Sequence, residues 1–298
     1  MKLKTTGQEN CRLSSKPRPY WRINAKWITG ILLFFVLGLT LLFYNLVQIT
    51  SEQPAVEAVT TALALSFSPQ GLDNETDVNL FIQQLRKSPD GRLQPIPGLK
   101  IIVEESAIAG LSPREMRLYL FRQIAEPLYW QGPEGVIALA DDSAMQQKLT
   151  EGIGPISIIT LKTHQTFNKI FIVLLIISLA LFLPLVFFSN RFGRLASPGF
   201  IILAASLPGT VIFNFISIIL QSNDINQPPI EAGGLSGMIG YIAANALPPI
   251  VSIIARNYLF FSILGLGLIL LAVAGKIIWR LCQRKADQKV NIKPSTQA

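Results

Sequence analysis

One histidine and two cysteines stand among 298 residues. A single histidine excludes a His-rich metal centre, and no other ligand spacing for a metal is present. Cys11 and Cys282 fall in the two terminal tails. The block 49–168 has no cysteine, so it is not a disulfide-stapled module. The chain also lacks a Gly-rich phosphate loop with its lysine, an HExxH and a CxxC, and nothing points to a cofactor. The absence with most consequence is charge inside the long apolar runs: their central parts hold no Asp, Glu, Lys, Arg or His. Proton- and ion-coupled transporters place such groups there. Active transport by this chain alone and enzymatic chemistry both lose ground.

What is present is apolar sequence gathered in blocks. Residues 170–188 (IFIVLLIISLALFLPLVFF) are 19 positions without a charge, enough to cross a hydrocarbon core of roughly 30 Å as a helix. A helix satisfies its own backbone donors and acceptors in lipid. A short turn carrying Arg191 and Arg194 follows, and a second apolar run, 200–220, returns. This hairpin predicts an α-helical integral membrane protein. The whole chain reads as four transmembrane helices, with a small extracytoplasmic α+β domain inserted between helices 1 and 2.

The expected order is a basic cytoplasmic tail at 1–26, transmembrane helix 1 at 27–48, the extracytoplasmic domain at 49–168 and transmembrane helix 2 at 169–189. A cytoplasmic turn at 190–197 leads to transmembrane helix 3 at 198–221. An extracytoplasmic loop at 222–256, holding a re-entrant or interfacial helix that ends at Pro248-Pro249, precedes transmembrane helix 4 at 257–279 and a basic cytoplasmic tail at 280–298. The first run is longer than the apolar stretch of about 7–15 residues in a cleaved signal peptide, so it reads as a signal anchor. Lys and Arg gather in both tails and at Arg191 and Arg194, whereas 49–168 has more acid than base. The positive-inside rule then puts both termini in the cytoplasm, across a plasma (cytoplasmic) membrane. The net charge of +8 reports orientation rather than nucleic-acid binding.

Within 49–168, Asn74 starts a helix whose Val78, Phe81, Ile82 and Leu85 share a face. Ser112, Pro113 and Glu115 give a second helix its cap, first turn and capping-box acid. Asp142 or Ser143 starts a short third helix. Strands are expected at 99–105, 135–140 and 156–161, giving a three-stranded sheet.

Three sets of residues are candidate functional positions. Met116, Leu120, Phe121, Ile124 and Leu128 form the stripe of a candidate partner-binding helix. Gly233, Ser236, Gly237, Gly240 and Ala244 have the small-residue spacing that lets helices pack closely. Pro208, Gly209, Thr210 and Asn214 form a candidate intramembrane polar site where helix 3 should break. Gly234-Leu235-Ser236-Gly237 resembles the GxSG pattern around the serine of rhomboid-type intramembrane proteases. That resemblance implies a partner histidine on another span, but His164 lies before helix 2, so the packing role is preferred.

The reading is a non-enzymatic scaffold, assembly or partner-binding protein acting through its extracytoplasmic domain. Its partners would be the lipid bilayer and other membrane or extracytoplasmic proteins, and the sequence sets no oligomeric state. The alternative is a channel or transporter subunit using the broken helix 3 and the re-entrant segment. Reporters fused at Lys100 and at Ala298 should fall on opposite sides of the membrane. Both reporting from one compartment would overturn the threading.

Overall fold

The computed structural model describes residues 20–68, 70–152, 158–189, 192–221 and 234–291. In chain order the elements are α1 Tyr20–Ile49, α2 Glu52–Ser66, α3 Glu75–Lys87, β1 Arg92–Leu93, β2 Val103–Glu104, α4 Glu105–Ile108, α5 Pro113–Gln131, α6 Pro133–Ile137, α7 Ser143–Gly152, α8 Leu161–Phe188, α9 Gly193–Gln221 and α10 Gly234–Asn291. Four helices, lying in α1, α8, α9 and α10, are long and apolar enough to cross a membrane. Their outward faces are apolar too: Phe35, Leu183, Phe215 and Leu271 are among the exposed large side chains. In water such a surface would drive aggregation, whereas in lipid it is solvated. The chain is therefore a helical integral membrane protein.

The bundle is built from antiparallel neighbours. α8 runs back along α1, with Thr40 meeting Ser178 and Leu33 packing with Leu185. α10 runs back along α9. Phe192 meets Gly275, Gly199 meets Gly265, and Gly209 meets Tyr258. The centre of this second pair depends on two missing side chains. A Cβ on Gly199 would stand 2.9 Å from the Gly265 carbonyl oxygen, and one on Gly265 would stand 2.7 Å from the Leu203 backbone nitrogen. Backbone cannot yield as a flexible side chain can, so only glycine permits this approach.

The largest departure from expectation is α10. It is one helix of 58 residues, about 87 Å long at 1.5 Å per residue, with Pro248 and Pro249 inside it. The re-entrant helix ending at this pair is not what forms. Each proline removes a backbone donor, yet packing on both sides of the pair holds the helical path. Below it α10 pairs with α9. Above it Tyr241 and Ile242 pack against the core of the domain inserted between α1 and α8. α10 thus joins the membrane bundle and the domain in a single element. Pro208 likewise lies inside α9, which continues through it without a break.

The domain is mostly helical. Its core gathers Val59 and Leu65 of α2, Leu85 of α3, Met116, Phe121 and Leu128 of α5, and Val136 of α6. The α5 start follows its sequence signals: Ser112 accepts from the Glu115 backbone, and Glu115 accepts from the Ser112 backbone. The three-stranded sheet does not form among the described residues. Of 99–105 only Val103–Glu104 is strand, paired antiparallel with Arg92–Leu93. In the run 135–140 the first three residues belong to α6, two form a turn, and Ala140 makes one bridge to Leu99. Gly132 takes φ 73°, turning the chain out of α5, and Pro133 then starts α6 immediately. Of 156–161, residues 156–157 lie outside the described residues and α8 already begins at Leu161.

The domain is fastened to the bundle where α1 gives way to α2. The Tyr129 hydroxyl donates to the Thr50 carbonyl oxygen at 3.2 Å, and the Thr50 hydroxyl lies 3.2 Å from Nδ1 of His164 on α8. Thr160 caps α8 by accepting from the Thr163 backbone. Gly265→Leu should force α9 and α10 apart and destabilise the protein by about 1–3 kcal/mol, the usual cost of overpacking. A Cβ added to Gly267 would have nothing within 4 Å, so Gly267→Leu should leave thermal unfolding in detergent nearly unchanged. Equal losses would show that the close approach is not what holds the pair.

Candidate functional site

The interior of the bundle holds uncharged polar side chains, and they meet across helices. Thr40 Oγ1 and Ser178 Oγ are 2.9 Å apart between α1 and α8. Asn257 Nδ2 of α10 donates to Asn45 Oδ1 of α1 at 3.0 Å, while Asn45 Nδ2 donates to its own helix at Leu41. Ser262 Oγ of α10 lies 2.9 Å from Ser206 Oγ and 2.8 Å from Thr210 Oγ1 of α9. Just past the end of α8, Ser189 donates to Ser197 of α9 at 3.3 Å. These bonds tie each long helix to another. In hydrocarbon no water competes for them.

This arrangement divides the expected intramembrane polar site. Thr210 joins Ser206 and Ser262, which residue type alone did not single out. Gly209 is a seat for Tyr258, whose ring would lie 2.6 Å from an added Cβ and which stacks on Phe213 at 5.8 Å. Pro208 and Asn214 face outward, and Asn214 Nδ2 donates to Thr210 O of its own helix at 2.7 Å. The four positions do not line one path; they are packing and hydrogen-bonding positions on different sides of α9.

The expected helix-packing set is also redistributed. Gly233 lies outside the described residues, as do the side chains at Ser236 and Gly237. An added Cβ on Gly240 would have nothing within 4 Å, whereas Ala244 is buried. The close approaches lie further along, at Gly265 and Gly275. His164, which the GxSG resemblance would need as a base, sits at the start of α8 beside Thr50.

In the domain, Met116, Phe121, Ile124 and Leu128 are buried in the core, with Leu120 partly buried against it. The stripe expected to be a partner surface is therefore covered by the domain's own α2, α3 and neighbouring turns. The accessible side of α5 carries Leu118, Tyr119 and Arg122 instead. Together with Gln53, Val56, Glu57, Thr60, Thr61, Leu111 and Glu115 they line a groove of about 500 Å³ between α2 and α5. That volume lies within the range of about 300–1,000 Å³ typical of binding pockets. Val56, Leu111, Leu118 and Tyr119 make its walls apolar.

Polar groups edge this groove. Arg122 Nε is held by Glu126 at 2.8 Å. The Glu115 carboxyl is kept below the usual carboxylate range, first by the Ser112 backbone N–H and then by the Ser112 hydroxyl. It is ionised at neutral pH. Glu57 has no ion-pair partner among the described residues. Thr60 is 4 % exposed, and its hydroxyl has no hydrogen-bond partner. Among the described residues no three His, Cys, Asp or Glu side chains gather as a metal ion would require.

The fold and site together define a helical membrane protein with an attached helical domain. Compared with known families, curated proteins and solved structures, the chain matches no family model, no curated protein and no solved structure.

Ser262→Ala removes the hydroxyl shared by Ser206 and Thr210. It should cost about 0.6–2 kcal/mol, the range for interhelical hydrogen bonds in membranes. Asn214→Leu should change stability by less than about 0.5 kcal/mol, as for an outward-facing substitution. Unfolding in mild detergent compares the two, and a larger loss at Asn214 would reverse their assigned roles.

Proposed function

We propose that this chain is a non-enzymatic membrane protein that holds a partner protein on its extracytoplasmic domain, in the groove between α2 and α5. The observation that carries the reading is the groove itself, with apolar walls and a net acidic edge. Its occupant is a protein segment presenting an apolar side chain to Leu118 and Tyr119 and a basic residue to Glu57. Tyrosine is among the side chains that dominate binding energy at such surfaces, because it buries a large rigid ring and keeps a polar tip.

The orientation, with both termini cytoplasmic, draws support from where charge sits in the folded chain. Lys26, Arg194, Lys276 and Arg280 all lie towards one end of the bundle, where Phe192 meets Gly275 and Trp21 meets Phe188. The acid-rich domain lies at the other end. The channel reading draws no support from α9. Thr210 is bonded to Ser262 of α10, Asn214 is turned outward, and the helix is unbroken.

A photo-crosslinking amino acid placed at Tyr119 should yield a defined protein adduct in intact membranes, and the same group at exposed Lys100 should not. Glu57→Lys should reduce that adduct by at least about ten-fold, since like charges at an interface are strongly disfavoured. No adduct above the Lys100 control, or an adduct indifferent to Glu57→Lys, would refute the groove as the docking site.

A further inference from the structure

A second groove lies inside the membrane region. It is about 360 Å³; Gly30, Phe34, Leu185 and Ile201 line its length, and Lys26 and Ser197 line it as well. Its walls come from α1, α8 and α9, and nearly every lining side chain is apolar. The exceptions are Lys26 and Ser197. Gly30 opens it: with no side chain there, the space beside Leu185 and Ile201 stays free.

The polar groups sit at the mouth. Phe34 is eight positions along α1 from Lys26, about 12 Å at 1.5 Å per residue. Half of a hydrocarbon core of roughly 30 Å is about 15 Å. The groove thus runs from headgroup level to most of the depth of one leaflet. Lys26 is partly buried and has no carboxylate partner among the described residues. Ser197 accepts from Ser189 at 3.3 Å, which leaves its own O–H to donate. Trp27 beside them is 68 % exposed, placed as an interfacial aromatic ring.

We infer that this groove is a binding site for one anionic phospholipid of the surrounding bilayer, in the leaflet at the basic end of the bundle. An acyl chain lies along Gly30, Phe34, Leu185 and Ile201, and the lipid phosphate meets the Lys26 ammonium, with the Ser197 hydroxyl donating to a phosphate or ester oxygen. Charge complementarity selects the occupant. A zwitterionic lipid would supply the same chain but set its own cation against Lys26. An apolar protein helix would leave the ammonium unpaired at the mouth. The site does not depend on what the extramembrane domain binds.

The test is lipid retention by the purified full chain, read by native mass spectrometry from mixed micelles of phosphatidylglycerol and phosphatidylcholine. The wild-type protein should retain one phosphatidylglycerol in preference by about five-fold, the effect of one lysine at an anionic surface. Lys26→Gln should abolish that preference. Lys276→Gln, at the same end but outside the groove, should leave it intact. Gly30→Leu should displace the lipid altogether, and a phosphatidylglycerol carrying a diazirine on its acyl chain should label α1 or α9 within the groove. Equal retention of the two lipids by the wild type would overturn the site. So would loss of preference in Lys276→Gln as large as in Lys26→Gln, or failure of the diazirine lipid to label the groove because a protein helix fills it. Should Gly30→Leu fail to fold, the two lysine variants and the labelled lipid still decide.

Discussion

Lipid offers an apolar helix surroundings as favourable as another helix does, so hydrophobic burial cannot hold this bundle together. What remains is close backbone approach and hydrogen bonding between helices. Both are concentrated on α9 and α10. Gly199 and Gly265 bring the two backbones together, and Ser206, Thr210 and Ser262 bond further along the same pair. Thr40 with Ser178 and Asn45 with Asn257 extend the same chemistry to α1 and α8. Because all these groups are uncharged, none carries the desolvation cost of an intramembrane ion.

The fixed bundle in turn positions the domain. α10 leaves the level of α9 and continues until Tyr241 and Ile242 reach the domain core. α1 passes into α2 across Thr50 and Ser51. Tyr129 and His164 meet that junction from α5 and α8. Burial pushes the Tyr129 hydroxyl up from its ordinary pKa, and the nearby Glu52 carboxylate adds to the shift. The phenol therefore stays protonated through the neutral range and keeps donating to Thr50. Its contribution to stability is present below the ordinary tyrosine value and is lost as pH rises through the raised one.

Much of the membrane architecture could be read from residue type alone. The apolar runs located all four long helices, and Ser112, Pro113 and Glu115 located the start of α5. The misses have separate physical causes. Pro248 and Pro249 read as a stop because proline forfeits a backbone bond. Contacts with α9 and the domain override that cost, and they involve residues distant in sequence. The run 135–140 is too short for its periodicity to separate strand from helix. The Met116 stripe shows that one face of α5 is apolar without showing whether the domain or a partner covers it. Serine and threonine stand out little in an apolar run, so the pairing of Ser206 with Ser262 emerges only once α9 and α10 are in register. The groove combines α2 with α5, two helices far apart in the chain, and no local pattern announces it.

α2 is the element shared by both halves of the molecule. On one side it forms the larger groove with α5. On the other, Gln53, Pro54, Glu57 and Ala58 face Pro249, Ile250 and Ile253 of α10 across a cavity of about 230 Å³. Gln53 and Glu57 line both spaces. A helix held from two sides, and joined end-on to α1, has little freedom to swing. An occupant of the α2–α5 groove would therefore meet a preformed surface and give up little free energy to ordering it. That favours steady holding of a partner over a transport cycle, in which helices must exchange between arrangements with a site accessible from alternate sides.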